Sequence, residues 1–202
     1  SGREKMGLMT ARPSSAKFSE QNPYFLDTDE RPNWQNLFGN YQPIKLEVGF
    51  GMGDFLIEMA IKEAHSNFIG IDFSNNGILM LLNRIKNLQL KNIRVAYGDV
   101  RNKIPLLFQD KELNTVYINF PDPWPKKRHI KRRLIKPALV KLLAQKLTPK
   151  GHVHLATDCQ LYSQEMLEYF NAEPLFQNMN QEVGFLEDRN NLPRTKYEKS
   201  FI

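Results

Sequence analysis

From Pro43 onward the chain alternates short apolar runs with amphipathic ones, and each apolar run ends at glycine, an acid or both. No other feature of the 202 residues restricts the fold as strongly. Ile44–Val48 reads as a strand running into Gly49-Phe50-Gly51-Met52-Gly53. Asp54 is expected to cap a helix with Phe55, Leu56, Met59 and Ala60 on one face. Residues 67–73 form a second apolar run, and Ser74 is the expected cap of a helix carrying Ile78, Leu81, Leu82 and Ile85. Ile93–Tyr97 and residues 115–120 give a third and fourth strand, closed by Gly98-Asp99 and by Pro121-Asp122-Pro123-Trp124-Pro125. Pro137 suits a first helical turn and puts Leu139, Leu142 and Leu143 inward until about Pro149-Lys150-Gly151. A fifth strand at 152–156 ends in Thr157-Asp158. A helix near 163–170 and strand-like pieces at 174–178 and 196–202 follow.

Strands and helices in this alternation imply an α/β fold with a doubly wound, mostly parallel, Rossmann-like sheet. In such sheets ligands lie beyond the carboxyl ends of the strands, where Glu47 to Gly53, Asp72, Asp99, Asp122 and Asp158 all fall. One domain is expected over 43–202. Residues 1–42 read as a partly mobile tail and a lead-in, with a short helix over Trp34–Phe38 capped by Asn33 and stopped by Gly39. A hydrophobic fraction of 41% with 13 Phe and 7 Tyr excludes a largely disordered chain. The longest apolar run, Ile78 to Leu82, is far short of the roughly 20 residues a membrane span needs. The lone Cys159 excludes an internal disulfide and offers no zinc cluster. The expectation is a soluble, cytoplasmic protein with no membrane partner and no metal.

The glycine turn narrows the ligand. Dinucleotide sites usually read G-x-G-x-x-G, with a helix amino terminus meeting the pyrophosphate. Here the spacing is G-x-G-x-G, with Glu47 just before it and Asp54 directly after. A carboxylate about 4 Å from a phosphate is repelled by roughly 4 kcal/mol at an effective dielectric of 20. S-adenosylmethionine has no phosphate and carries an ammonium and a sulfonium, so these acids favour it over NAD. Asp72 is placed to accept from ribose hydroxyls, a device NAD enzymes share, and Asp99 either accepts from an adenine amine or is a turn residue after Gly98.

The net charge of +6 is concentrated. Lys126, Lys127, Arg128, Lys131, Arg132, Arg133 and Lys136 form a run without acids, and the rest of the chain sums to −1. A localised excess of this kind indicates a polyanion-binding face. Their spacing makes no clean amphipathic helix, so a partly mobile loop that orders on phosphate is expected. The three prolines just before it hold Asp122 and Trp124 rigidly, which suits orienting and stacking a nucleobase.

Together these residues resemble the bacterial tRNA (guanine-N7)-methyltransferases. The resemblance rests on Glu47-Val48-Gly49-Phe50-Gly51-Met52-Gly53, on Ile69-Gly70-Ile71-Asp72, and on the stretch from Asn119 to His129 with Lys131-Arg132-Arg133. Thr157-Asp158 and Thr195-Lys196-Tyr197-Glu198 fit the same family. It implies an S-adenosylmethionine-dependent methyltransferase fold, with cofactor contacts at Glu47, Gly49, Gly51, Gly53, Asp72, Asp99 and Asp122. It implies a catalytic or positioning role for Asp122 and tRNA or guanine contacts at Lys126, Asp158, Thr195, Lys196, Tyr197 and Glu198. RNA would run along Arg128, His129, Ile130, Lys131, Arg132 and Arg133. The implied product is 7-methylguanosine in the tRNA variable loop. An amino-group methyltransferase is the nearest rival, but Asp122 between Pro121 and Pro123 breaks the Asn/Asp-Pro-Pro-Tyr/Phe pattern of that class.

Overall fold

The structure is a computed structural model and describes residues 22–179, 186–187 and 193–199. Eight strands form one sheet: β1 (Ile44–Val48), β2 (Asn67–Asp72), β3 (Ile93–Tyr97), β4 (Leu113–Asn119), β5 (Leu147–Ala156), β6 (Phe176–Asn178), β7 (Leu186–Glu187) and β8 (Pro193–Lys199). Their order is β3-β2-β1-β4-β5-β8-β6, with β7 also paired to β8. The first five strands are parallel, and β8 lies antiparallel to β5, β6 and β7. Chain order reverses between β1 and β4, which opens a crevice above those two strands, as in other doubly wound sheets.

Helices cover the sheet because its buried strands must lose both faces to solvent. They are α1 (Trp34–Phe38), α2 (Asp54–Lys62), α3 (Asn75–Leu88), α4 (Val100–Leu107), α5 (Pro137–Lys146) and α6 (Gln160–Ala172). On one face α2 and α3 bury Leu56, Ile57, Ile78, Leu81 and Ile85 against Phe68 and Val95. On the other, α4, α5 and α6 bury Ile104, Leu107, Leu143, Met166 and Phe170 against Leu46, Val116 and Val153.

The expected caps hold at Asn33, whose side chain accepts from Asn36 N, and at Ser74, whose side chain accepts from Gly77 N. Gly53, not Asp54, is the residue before α2; Asp54 is the first residue of that helix and pairs with Arg84 at 2.5 Å. No element was expected over residues 100–107, where α4 forms; Pro105 falls in its last turn and leaves the Asp99 cap intact. α5 stops at Lys146, three residues before Pro149, because the strand already begins at Leu147. The lead-in is not a separate unit over its described part. Phe25 bridges to Val95, Leu26 N donates to Val95 O, and Trp34 stacks on Phe108 at 5.3 Å inside the core. The expected mobile tail, 1–17, lies outside the described residues.

Candidate active site

A cavity of about 370 Å³ occupies the crevice at the carboxyl ends of β1, β2, β3 and β4. Val48, Gly49, Gly51, Asp72, Asp99, Asn119, Asp122 and Trp124 line it. A larger cleft of about 550 Å³ lies around Trp34, Asn67, Lys111 and Glu112, at the amino-terminal ends of the strands. The smaller cavity is the candidate site, because the strand ends deliver every acid of the sequence pattern except Asp158 to its surroundings.

Gly49 and Gly51 have φ of 69° and 58°, and a Cβ on either would point into open space. The turn therefore brings bare backbone to the cavity in a conformation that L side chains rarely adopt. Asp72 locks it in place. Its Oδ2 accepts from Gly51 N at 2.9 Å, and its Oδ1 accepts from Phe73 N at 2.7 Å and Ser74 N at 3.2 Å. Asp99 caps α4 and accepts from Arg101 through N, Nε and Nη2. Those bonds with Arg101 hold its carboxyl below the usual carboxylate range.

Glu47 sits beneath the turn with only 2% of its surface exposed. Burial pushes its carboxyl up to about 8; Asn119 beside it pulls the other way, and the Asp72 charge adds to the rise. Glu47 Oε2 and Asn119 Nδ2 are both buried without a hydrogen-bond partner. A buried acceptor left unsatisfied is costly, so this carboxyl is arranged for a group the free protein does not supply. The acid set fits a cationic nucleoside. It fits a diphosphate poorly, since Asp54 opens the helix that would have to receive the phosphates.

The loop after β4 carries two non-glycine residues in left-handed conformation, Phe120 (φ 50°) and Trp124 (φ 41°). Such geometry costs of order 1–3 kcal/mol per residue and concentrates at functional sites. Asp122 is exposed on this loop at the cavity wall. The basic run then forms a 3-10 helix, Lys127–Arg132, rather than the expected loop. With three residues per turn, positions three apart share a face. Arg128 and Lys131 face solvent, His129 and Arg132 flank Trp124 at 5.7 and 5.1 Å, and Ile130 and Arg133 share the third face.

Several expectations change here. Arg133 was expected on RNA, yet it is 4% exposed, paired with Glu165 and hydrogen-bonded to Pro123 O. Tyr197 was expected on substrate, yet it is fully buried, with its hydroxyl donating to Asn171 Oδ1 at 2.7 Å. Glu198 pairs with His152 at 2.9 Å, and Lys196 is registered with His154. The reason is strand direction. β8 runs antiparallel, so only its start, where Arg194 opposes Ala156, reaches the cavity end. Each later residue retreats about 3.4 Å toward the far end. The Thr195 side chain lies outside the described residues. Lys126 is exposed at the start of the 3-10 helix, and Asp158 is exposed just past β5, outside the cavity lining. Sequence reasoning missed Asn119 and Arg101 in the cavity wall; Asn119 was legible as the strand's last polar residue, whereas Arg101 had no separate signal.

Fold and site together place the chain in the doubly wound α/β class, with an acid-lined cavity at the carboxyl ends of its parallel strands. A solved S-adenosylmethionine-dependent methyltransferase from Aquifex aeolicus shares the fold, with a TM-score of 0.60, 14% identity, and 82% of this chain matched to 87% of that one. The family model described as "Putative methyltransferase" matches residues 41–202. A tRNA (guanine-N(7)-)-methyltransferase of Idiomarina loihiensis is 41% identical over 81% of this chain and 66% of its own length. Its counterpart in Saccharophagus degradans is 38% identical over 83% of this chain and 73% of its own. The chain belongs to this methyltransferase family. It spans just under two thirds of the Idiomarina relative's length. Among the described residues, no helix is long and apolar enough to cross a membrane, and no cluster of three or more His, Cys, Asp or Glu is placed to hold a metal.

Proposed function

We propose that this protein transfers a methyl group from S-adenosylmethionine to N7 of a guanine in the variable loop of tRNA, producing 7-methylguanosine. The observation that carries the reading is one continuous surface. The acid-lined cavity, the rigid Asp122–Trp124 loop and the basic 3-10 helix follow one another along a single crevice. The family relatives, named for this activity, support it.

Glu47, Asp72 and Asp99 would hold the methyl donor, with Gly49 and Gly51 admitting it close to the backbone. The donor supplies a methyl group on a positively charged sulfur. Guanine N7 has a lone pair and no proton, so no side chain has to act as general base. Placing N7 in line at about 3 Å is then the main task, and positioning alone contributes several kcal/mol. Trp124 offers a ring face for the purine, and Asp122 stands beside it as the polar contact. Asp122 either stabilises the positive charge that develops on the purine or accepts from guanine N1–H and the exocyclic amine. Arg128, Lys131 and Arg132 project outward from the 3-10 helix and suit RNA phosphates, which position the substrate without reading sequence. Incubation with bulk tRNA and labelled methyl donor, followed by nucleoside analysis, tests the reading. Radioactive 7-methylguanosine is expected; methyladenosine or unlabelled tRNA would overturn it.

A further inference from the structure

Arg132 and Arg133 are neighbours in sequence and opposites in environment. Arg132 is exposed over the face of Trp124, whereas Arg133 is turned inward beneath the Asp122 loop. The guanidinium of Arg133 serves two elements at once. Its Nε donates to Pro123 O at 2.6 Å, and its Nη1 pairs with Glu165 of α6. It also lies over the Tyr162 ring at 4.8 Å, and the Tyr162 hydroxyl accepts from Ile135 N at 2.9 Å. Glu165 is fixed in turn by Lys136 Nζ at 3.1 Å and the Tyr169 hydroxyl at 2.9 Å. Pro123 O belongs to the peptide bond that joins Pro123 to Trp124, one residue after Asp122, and the prolines at 121, 123 and 125 leave that segment few backbone donors of its own. The loop is also held through Phe120 N, which donates to Ala156 O at 2.8 Å.

From these contacts we infer that the Arg133–Glu165 pair, with its arginine buried, is a positioning device for the reaction, fixing the Asp122 carboxylate and the Trp124 ring through the Pro123 carbonyl. The inference rests on the proposed guanine methylation for its kinetic consequence and on geometry alone for its structural one. A planar fork is needed to reach the carbonyl and the carboxylate together, so lysine cannot substitute for it. Without the tie, Trp124 can leave its left-handed conformation, and the two functional side chains lose their fixed placement.

The test uses protein labelled with 5-fluorotryptophan, which gives two resonances because the chain has two tryptophans, Trp34 and Trp124; Trp124→Phe assigns them. Arg133→Lys and, as a milder change, Glu165→Gln should shift or broaden the Trp124 resonance and leave that of Trp34 in place. Turnover on tRNA should fall by about tenfold to a hundredfold, the range a displacement of about 1 Å produces. KM for tRNA and the dissociation constant for S-adenosylmethionine should stay within about threefold, since neither is bound through Arg133 on this reading. Both resonances moving together with a general loss of thermal stability would show a packing role only and overturn the inference. An unmoved Trp124 resonance would do so as well, whatever turnover does. A weakened tRNA KM with a flatter salt dependence would make Arg133 a phosphate contact and also overturn it. If the parent protein methylates no guanine while Trp124 still responds to both substitutions, the anchor stands and the proposed function fails.

Discussion

Replacing Glu47 by Gln separates what the fold wants from what the site wants. The Glu47 carboxyl is held at about 8 in the folded chain by burial, against 4.5 for an ordinary glutamate. The folded state therefore binds more protons than the unfolded chain between those values, and stability must fall as pH rises through that window. At about 1.36 kcal/mol per unit, the cost of ionisation above pH 8 has a ceiling of about 5 kcal/mol. Between pH 6 and pH 9 the change amounts to about 2–3 kcal/mol. Glutamine keeps the size and loses the proton, so Glu47→Gln should gain stability over wild type as pH rises, then level off above pH 8. For a domain of this size the relative gain corresponds to about 5–10 °C in Tm across that interval. Thermal unfolding of both proteins from pH 5.5 to 9.5 measures it. The same substitution should hurt cofactor binding. At pH 7 about nine tenths of a group titrating near 8 is protonated, so ionising it against a bound cation should release close to one proton per S-adenosylmethionine bound, read as a dependence of the binding enthalpy on the buffer. The variant should bind weakly, with no such release. A stability difference independent of pH, or equal proton release by the two proteins, would refute the assignment of Glu47 as the buried acid awaiting a cation.

Asp122→Ala should lower turnover far more than cofactor affinity, and Asp122→Asn decides its role: near-normal kcat in the Asn variant rules out charge stabilisation. Replacing Arg128, Lys131 and Arg132 by Ala should flatten the log–log salt dependence of tRNA binding by about 0.7–0.9 for each phosphate left without its cation, while S-adenosylmethionine affinity stays unchanged; parallel slopes would place the RNA elsewhere. Burial, reinforced by Lys196 and His152, pushes His154 down to about 4 from 6.5. Its contribution is therefore complete above pH 6.5 and lost as pH falls toward 4, by at most about 3 kcal/mol. His154→Gln should flatten the acid limb of the stability curve, and an unchanged limb would refute that account.

The sequence by itself determined the alternation of strands and helices, the caps at Asn33 and Ser74, and the convergence of Asp72, Asp99 and Asp122 on one end of the sheet. Those are consequences of local periodicity and of a topology that parallel strands leave little freedom to vary. It also located the excess positive charge, because charge is a property of composition. Tertiary structure alone decided which cations are free. Arg132 and Arg133 are indistinguishable by type and neighbourhood, and the three-residue turn of the 3-10 helix sends one to Trp124 and the other to Glu165, 32 positions away. The same holds for Tyr197 and Glu198. Their motif reads as one site in the chain, but β8 enters antiparallel, so Tyr197 fills the core and Glu198 meets His152 away from the cavity. The unsatisfied Glu47 was visible only once burial was known, since the cost of a carboxyl depends on the water around it rather than on its place in the sequence.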